Sequence, residues 1–394
     1  MEKIKKIKIK KKNKKIKIRS NIENMVRKTM ADFVDKEVIP IARDLDDSGK
    51  FPDKLFQKLA KMGLLGIRYP KEVGGAGGNT TLYCIAMQEL ARGLMSLAAT
   101  TAMQCLMSTN GLYLYGSKKL HKEFLYPALK GEKIGAFQLT EPDAGSDLSA
   151  VKTRAEKTSD GYVINGMKTW STSGPKADFH TVLCQTDSSK GLKGLRFFLV
   201  PKDTPGFSFS KPFKTLGTKT SVISEIYFNN CYIPKEYALG KEGKGLDVLL
   251  TILSEIRIMT ASLALGLHRA ALDDSIKYCK ERVQFKKPIS KYQLIQAKIA
   301  NMAVNLEAGQ LMVDKVTHMI DKGIPCLNNA SMAKYFTVES ACEASDYAMR
   351  IFGGYGYSME YSVQRYYRDN RFLLYGGGTH EVLQTTIARE ILSK

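Results

Sequence analysis

The chain has 394 residues, enough for two or three compact units around a large core, and its 44% apolar content excludes a largely disordered or fibrous protein. Its formal net charge is +21, of which residues 1–19, with ten Lys, one Arg and one Glu, supply +10, so the rest of the chain is only moderately basic. Seven cysteines without a Cys-x-x-Cys pair, and five histidines without ligand spacing, exclude structural zinc and point to a reducing cytoplasm with no metal site.

Residues 1–21 alternate lysine with isoleucine, carry too little apolar mass for a core, and read as a disordered basic tail. The tail has no interleaved aromatics and no apolar run of the secretory kind, so nucleic-acid binding is not expected. An electrostatic anchor to an anionic surface and a translation start upstream of the true Met25 are alternative readings. The positive balance of the remainder suits a nucleotide, a coenzyme A diphosphate or an acidic carrier protein.

From residue 22 to about 133, apolar residues recur at three and four: Met25, Val26, Met30, Phe33, then Leu55, Leu59 and Met62. That period predicts helices, broken at Pro40, at Ser48–Pro52 and at Val73–Asn79. Leu94–Leu106 is the most apolar stretch and is too short to span a bilayer, so no membrane span is expected. Residues 134–242 change to short β-branched runs such as Tyr162–Ile164, His180–Leu183, Arg196–Val200 and Glu225–Phe228. Turns at Ser159-Asp160-Gly161 and Asn165-Gly166 separate them, predicting an antiparallel barrel or sandwich. Helical periods return over residues 243–394, in segments of roughly 246–282, 291–322, 328–352 and 379–392, which suit an antiparallel four-helix bundle. The fold class is therefore α+β multidomain: helical, then β, then a helical bundle. No Gly-x-Gly-x-x-Gly links a strand to a helix, which argues against a doubly wound nucleotide site.

Two segments are dense in small residues and hydroxyls, as close backbone approach to a ligand requires. One runs from Phe137 to Asp147 at the join of the helical and β regions; the other, Lys168–Gly174, holds the chain's one tryptophan, Trp170. A polar interdomain loop and a core tryptophan are the plain alternatives. Taken with Arg282-Val283-Gln284-Phe285, Gln293–Gln296 and Ile351–Tyr357, these segments closely resemble the acyl-CoA dehydrogenase family, over nearly everything after Ile22.

The resemblance implies FAD between the β domain and the bundle, with an acyl thioester on the flavin face. It implies that Phe137, Leu139 and Thr140 line the flavin, that Trp170 packs beside it and that Thr172 bonds its reactive edge. Arg282, Gln284 and Phe285, with Gln293, would reach the FAD of a neighbouring subunit, which implies a homo-oligomer, a dimer or a homotetramer. Gly353 and Gly354 belong to the same cofactor motif, and Arg350, where a glutamine is usual, would add a grip on the diphosphate. Thr379 and Glu381 match the family's FAD contact at the last helix, although an ordinary N-cap reads the same way. Ser146 and Arg257 match residues contacting the thioester ligand; an arginine in so apolar a helix otherwise needs a buried anion. Residues 100–107 would face the acyl chain, with Gln104 available to a polar acyl group and Cys105 read as core.

The resemblance also exposes a departure. Abstracting the α-proton needs a general base, worth roughly 10²–10⁴-fold. In the family that base is a glutamate at one of two positions, which here are Gly377 and Ile256. Glu255 is the remaining candidate, yet it lies about 100° around an ideal helix from Ile256, so a regular helix aims it elsewhere and only a local bulge would redirect it. The alternative is an exposed or interhelical ion-pair carboxylate. Ser254 replaces an aspartate often found three residues before the arginine. The leading expectation is an FAD-dependent oxidoreductase performing α,β-dehydrogenation, or its reverse, on an acyl-CoA or acyl-carrier-protein thioester, with an electron-transfer flavoprotein as partner. A flavoenzyme with altered chemistry (elimination, desulfination or monooxygenation) and a non-catalytic flavin-bearing subunit are the alternatives.

Overall fold

The structure is a computed structural model that describes residues 21–393. Apart from helical Asn21, the basic tail expected at 1–21 lies outside the described residues. Helices dominate up to residue 129. Among the breaker clusters, Gly74–Gly78 has the largest part in positioning the site. It folds back so closely on Tyr69 that a Cβ at Gly75 would lie 2.2 Å from the Tyr69 carbonyl oxygen. The Gly77 and Gly78 amides donate to Tyr69 O and Ile67 O, both at 2.8 Å, and this turn sets Arg68 beside the start of helix α1 (Thr80–Gly93). Asn79 caps α1, accepting from the Leu82 amide at 3.0 Å.

The apolar stretch read from the sequence is helix α2 (Met95–Ala102), which runs through a π-helical turn, Met103–Met107, into α3 (Ser108–Tyr115). An extra residue in a helical turn rotates the next turn about the axis and frees backbone carbonyls for other partners. Ser108 Oγ takes Met103 O at 3.1 Å and Thr109 Oγ1 takes Gln104 O at 2.7 Å. The turn directs Gln104 inward, where it is fully buried. Its amide nitrogen donates to Ala128 O (2.8 Å) and Lys133 O (2.9 Å), and its oxygen accepts from the Gly135 amide (2.8 Å). Gln104 thus fastens the helical part to the first strand and has no free donor for an acyl group, unlike the expectation. Cys105 is core, as read.

The β part is a sheet in the order β6-β7-β3-β2-β4-β5-β8, with β1 also on β4. Its strands are β1 (Gly135–Gln138), β2 (Arg154–Lys157), β3 (Gly161–Ser171), β4 (Phe179–Gln185), β5 (Leu195–Pro201), β6 (Phe207–Phe209), β7 (Ser224–Pro234) and β8 (Ala238–Leu239). Most pairings are the expected antiparallel ones, but β1 and β2 run parallel to β4. The difference arises because β1 enters straight from the helical part, pinned by Gln104, and not from a hairpin. Alternate residues of β4 and β5 serve two cores: Phe179, Leu183, Phe197 and Leu199 join the helices, whereas Val182, Cys184, Phe198 and Val200 face a smaller core with Tyr162, Ile164 and Phe228.

The C-terminal part holds α4 (Gly245–Glu281), α5 (Gln293–Asp321), α6 (Leu327–Phe352) and α7 (His380–Leu392), within two residues of the periods read from the sequence. The shorter helix Ser362–Asn370 lies between α6 and α7. Helix α4 is long and apolar enough to cross a membrane by length and composition, but 72% of that window is buried inside the fold, against α1, α5 and α6. A helix apolar on every side is what such a central position needs.

Gln104→Leu removes three hydrogen bonds and leaves two carbonyls and an amide without their partner. We expect it to destabilise the FAD-loaded protein by roughly 2–5 kcal/mol in urea denaturation; a loss below about 1 kcal/mol would show that the clamp is dispensable.

Candidate active site

The first group of functional side chains gathers where β1 meets β3. Register between β3 and β7 slips by one residue between Lys168 and Ser171. This bulge turns Trp170 to φ 58 and leaves it 60% exposed rather than in the core. Its ring lies 5.1 Å from that of Phe213. The loop after β1 is strapped to the same strand: Thr169 N donates to Thr140 O at 2.9 Å, and Lys168 Nζ donates to Leu139 O at 3.0 Å. Phe137 stacks on Phe197 at 5.5 Å. Lys168 and Glu141 form a buried ion pair at 2.7 Å. Burial alone would raise the Glu141 carboxyl, but Lys168 and the Lys152 amide hold it below its ordinary value. Thr172 is half-buried beside Ser173, whose hydroxyl is buried without a partner. Ser146 is exposed in the loop beyond.

A second group lines a groove of about 720 Å³: Arg282, Gln284, Phe285, Gly353 and Gly354, with Tyr355. Strands β9 (Val283–Gln284) and β10 (Lys287–Pro288) form a hairpin whose two turn residues, Phe285 and Lys286, have φ of 50° and 66°. Left-handed backbone at a phenylalanine is strained, and it holds an apolar ring 89% exposed at the tip. Arg282 lies 5.5 Å over the Tyr355 ring and has no carboxylate partner among the described residues. Gly353 and Gly354 have no atom within 4 Å of where a Cβ would stand, so this wall is open. Gln293, at the start of α5, and Arg350 are outside the groove lining. Arg350 instead pairs with Asp346 at 2.6 Å, one helical turn away on the surface.

The third group surrounds the glycine run before α7. Gly377 has φ 73, and a Cβ placed on it would lie 3.1 Å from Ile256 Cγ2 and 3.3 Å from Thr260 Oγ1. The two positions at which a base was sought therefore pack on each other, and neither carries a proton acceptor. Helix α4 has no bulge here. Glu255 turns toward the first domain, where it is bound to Arg68 and lies 3.5 Å from the Thr80 hydroxyl. Arg68 also donates to Asn110 Oδ1 at 2.9 Å. This is the ion-pair arrangement weighed from the sequence. Arg257 turns the third way: it is buried, donates to Ser331 Oγ at 2.6 Å and leaves Nε unpartnered. A Cβ on Gly378 would lie 3.9 Å from its Nη2. Lys334 on α6, fully buried, donates to Gly378 O. Burial, and then the nearby Arg257, push Lys334 down to about 7; burial pushes Arg257 down to about 10. Thr379 caps α7 through Val382 N, and Glu381 sits exposed in its first turn, held low by backbone and Thr379 hydrogen bonds.

Three family profiles, described as the N-terminal, middle and C-terminal domains of acyl-CoA dehydrogenase, match residues 20–132, 136–231 and 243–392. The chain belongs to the acyl-CoA dehydrogenase family. It is 45% identical to the benzylmalonyl-CoA dehydrogenase of Aromatoleum aromaticum over 94% of its own length and 98% of that protein. It is 40% identical to the 3-(aryl)acrylate reductase of Clostridium sporogenes, over 93% and 98%. The butyryl-CoA dehydrogenase structure from Megasphaera elsdenii superposes with a TM-score of 0.92 at 36% identity, covering 94% of this chain and 98% of that one. A glutaryl-CoA dehydrogenase from Mycobacterium smegmatis, at TM-score 0.89 and 33% identity over 94% and 95%, was solved with FADH2. The enzyme is a flavin-dependent oxidoreductase acting on the CH–CH group of acyl thioesters, by dehydrogenation or reduction, with FAD as cofactor. The residues present fit FAD: an unpaired arginine beside an open glycine wall for a diphosphate, exposed aromatic faces at Trp170 and Phe285, and the unpartnered Ser173 hydroxyl.

Lys334, Arg68 and the Lys168–Glu141 pair were not found from the sequence. The signal for each was a charged residue in an apolar helical or β context, which by itself does not name a partner. Phe285→Ala is expected to lower FAD retention on gel filtration while changing apo-protein stability by less than about 0.5 kcal/mol; undiminished flavin would refute a cofactor role. Lys334 binds fewer protons folded than unfolded between about 7 and its ordinary 10.5, so it costs most stability below 7 and the cost falls as pH rises through that window. Lys334→Met should therefore gain on the wild type in melting temperature at pH 6 relative to pH 9; a pH-independent difference would contradict this.

Proposed function

We propose that the enzyme oxidises a 2-carboxyacyl thioester with loss of CO2, so that departure of the carboxylate takes the place of α-proton abstraction. The observation that carries the reading is the Gly377–Ile256 contact, which closes both base positions while Glu255 is bound to Arg68. The 45% identical relative is named for benzylmalonyl-CoA, a thioester with a carboxylate on its α-carbon, and supports the same reading.

The reaction balances without a base. The electron pair of the bond from Cα to the carboxylate becomes the new Cα–Cβ π bond, CO2 departs, and one β-hydrogen leaves as hydride. Bound FAD supplies the hydride acceptor. Ile256, Thr260 and the glycine run form a close-packed wall that excludes water from the reacting end. The groove of Arg282, Phe285 and the two glycines, with Trp170, Thr172, Phe137, Leu139 and Thr140, is our assignment for the cofactor site. Thr379 and Glu381 at the α7 N-terminus, and Ser146 on the thioester side, are proposed contacts on the same basis.

Reduction of an aryl acrylyl substrate is the second reading, favoured by the Clostridium sporogenes relative and by Lys334, a titratable donor at the loop that would deliver the α-proton. An electron-transfer flavoprotein is the proposed electron partner, since a structural neighbour at TM-score 0.92 comes from work on the electron transferring flavoprotein of Acidaminococcus fermentans. A homo-oligomer is proposed because the Phe285 tip and the α5 residues Leu294, Val304 and Leu311 expose apolar surface. A cytoplasmic setting suits the seven free, buried cysteines.

Anaerobic mixing of FAD-loaded enzyme with benzylmalonyl-CoA should bleach the flavin and release one CO2 per flavin reduced. The corresponding 3-phenylpropionyl-CoA, lacking the carboxylate, should react at least about 10²-fold more slowly. Equal bleaching by both, without CO2, would overturn the proposal, and reoxidation of reduced flavin by cinnamate or cinnamoyl-CoA alone would favour the reductase.

A further inference from the structure

Two positive side chains are buried together beside the glycine run, and no carboxylate of the described residues reaches either. Elsewhere in the fold carboxylates stand near such groups: Lys168 meets Glu141, Arg68 meets Glu255, Arg368 meets Asp46, and Arg365 acts on Asp274 and Asp369 without forming an ion pair. Arg257 has only the Ser331 hydroxyl, with its Nε buried and unpartnered, and Lys334 has only the Gly378 carbonyl. A like-charged pair out of water is unfavourable unless an anion completes it. The anion must arrive with a ligand, and the position says which part of it. The pair flanks Gly378, next to the contact of Gly377 with Ile256, whereas the groove assigned to the FAD diphosphate has its own arginine, Arg282.

We infer that Arg257 and Lys334 bind the α-carboxylate of the substrate, an assignment that rests on the decarboxylating reading above. Glycine at 376, 377 and 378 leaves no side chain of that run between the two cations and the reacting carbon. The carboxylate that the protein does not carry at 377 is brought by the substrate to the same place. Arg257 offers a planar donor fork and Lys334 a point charge, a pairing that fixes the orientation of a carboxylate. Held there, the scissile bond has a defined direction, and the negative charge is lost from the site as neutral CO2 forms. The cation pair is therefore a specificity element first: it sets which thioesters are accepted.

Malonyl-CoA tests the site without turnover, because it has no β-carbon from which a hydride can leave; acetyl-CoA is the same ligand without the carboxylate. Titrated into FAD-loaded enzyme by calorimetry, malonyl-CoA should bind roughly ten- to a hundred-fold more tightly than acetyl-CoA. Arg257→Gln and Lys334→Met should each cut that preference about ten-fold, and Lys334→Arg should keep it. Equal affinities in the wild type, or a preference untouched in the variants, would overturn the site. If Arg257→Gln does not fold, the wild-type ratio and the two Lys334 variants decide. Release of CO2 from benzylmalonyl-CoA by an enzyme with no malonyl-CoA preference would sink this assignment and leave the reaction standing. A clear preference without CO2 release would sink the reaction alone.

Discussion

One buried helix organises the site. Because the middle of α4 is enclosed on every side, its successive residues cannot share a partner, and the 100° step of the helix assigns each to a different neighbour. Glu255 goes to Arg68 in the first domain, Ile256 to Gly377 in the loop before the last helix, and Arg257 to Ser331 on α6. A carboxylate, a hydrocarbon and a guanidinium, adjacent in the chain, are thereby placed in three environments. In the reading proposed above, the hydrocarbon walls the reacting end and the guanidinium flanks it, while the carboxylate is engaged by the first domain.

Much of this was legible in the sequence because it is local. The 3.6-residue period located α4, α5, α6 and α7 to within two residues, and β-branched runs between turn signals located β3, β4, β5 and β7. What was not legible depends on contacts between distant segments. Gln104 reads as one more polar residue in a helix until the π turn and the arrival of Gly135, 31 residues on, give it three backbone partners. The parallel pairing of β1 with β4 comes from the same junction. Trp170 has the composition of a core residue, and only the one-residue slip against β7 turns it outward. Glu255 follows the angle of a regular helix, whereas its candidacy as the base needed a bulge that α4 does not have.

The buried charges fall into two kinds, and the difference separates framework from site. Lys168–Glu141 and Arg68–Glu255 are complete within the chain, so their role is to tie the loop after β1 to β3, and the first domain to α4. Breaking either would strand a charge, at a typical cost of about 3–5 kcal/mol. Arg257 and Lys334 have no such partner among the described residues. Burial lowers the affinity of each for its proton, and in a folded protein such tension is sustained only by the packing around it.

The contact between Gly377 and Ile256 also has a consequence for descent. A side chain at 377 meets both an unfavourable left-handed backbone and, at 3.1 Å, the Ile256 methyl, so a carboxylate there carries a conformational and a steric cost. A glutamate at 256 in turn would have to share its space with the loop. The two positions are thus coupled by volume, and a side chain at one limits the space at the other. In the base-free reading, the branched hydrocarbon at 256 and the left-handed backbone at 377 together oppose the return of a carboxylate at 377.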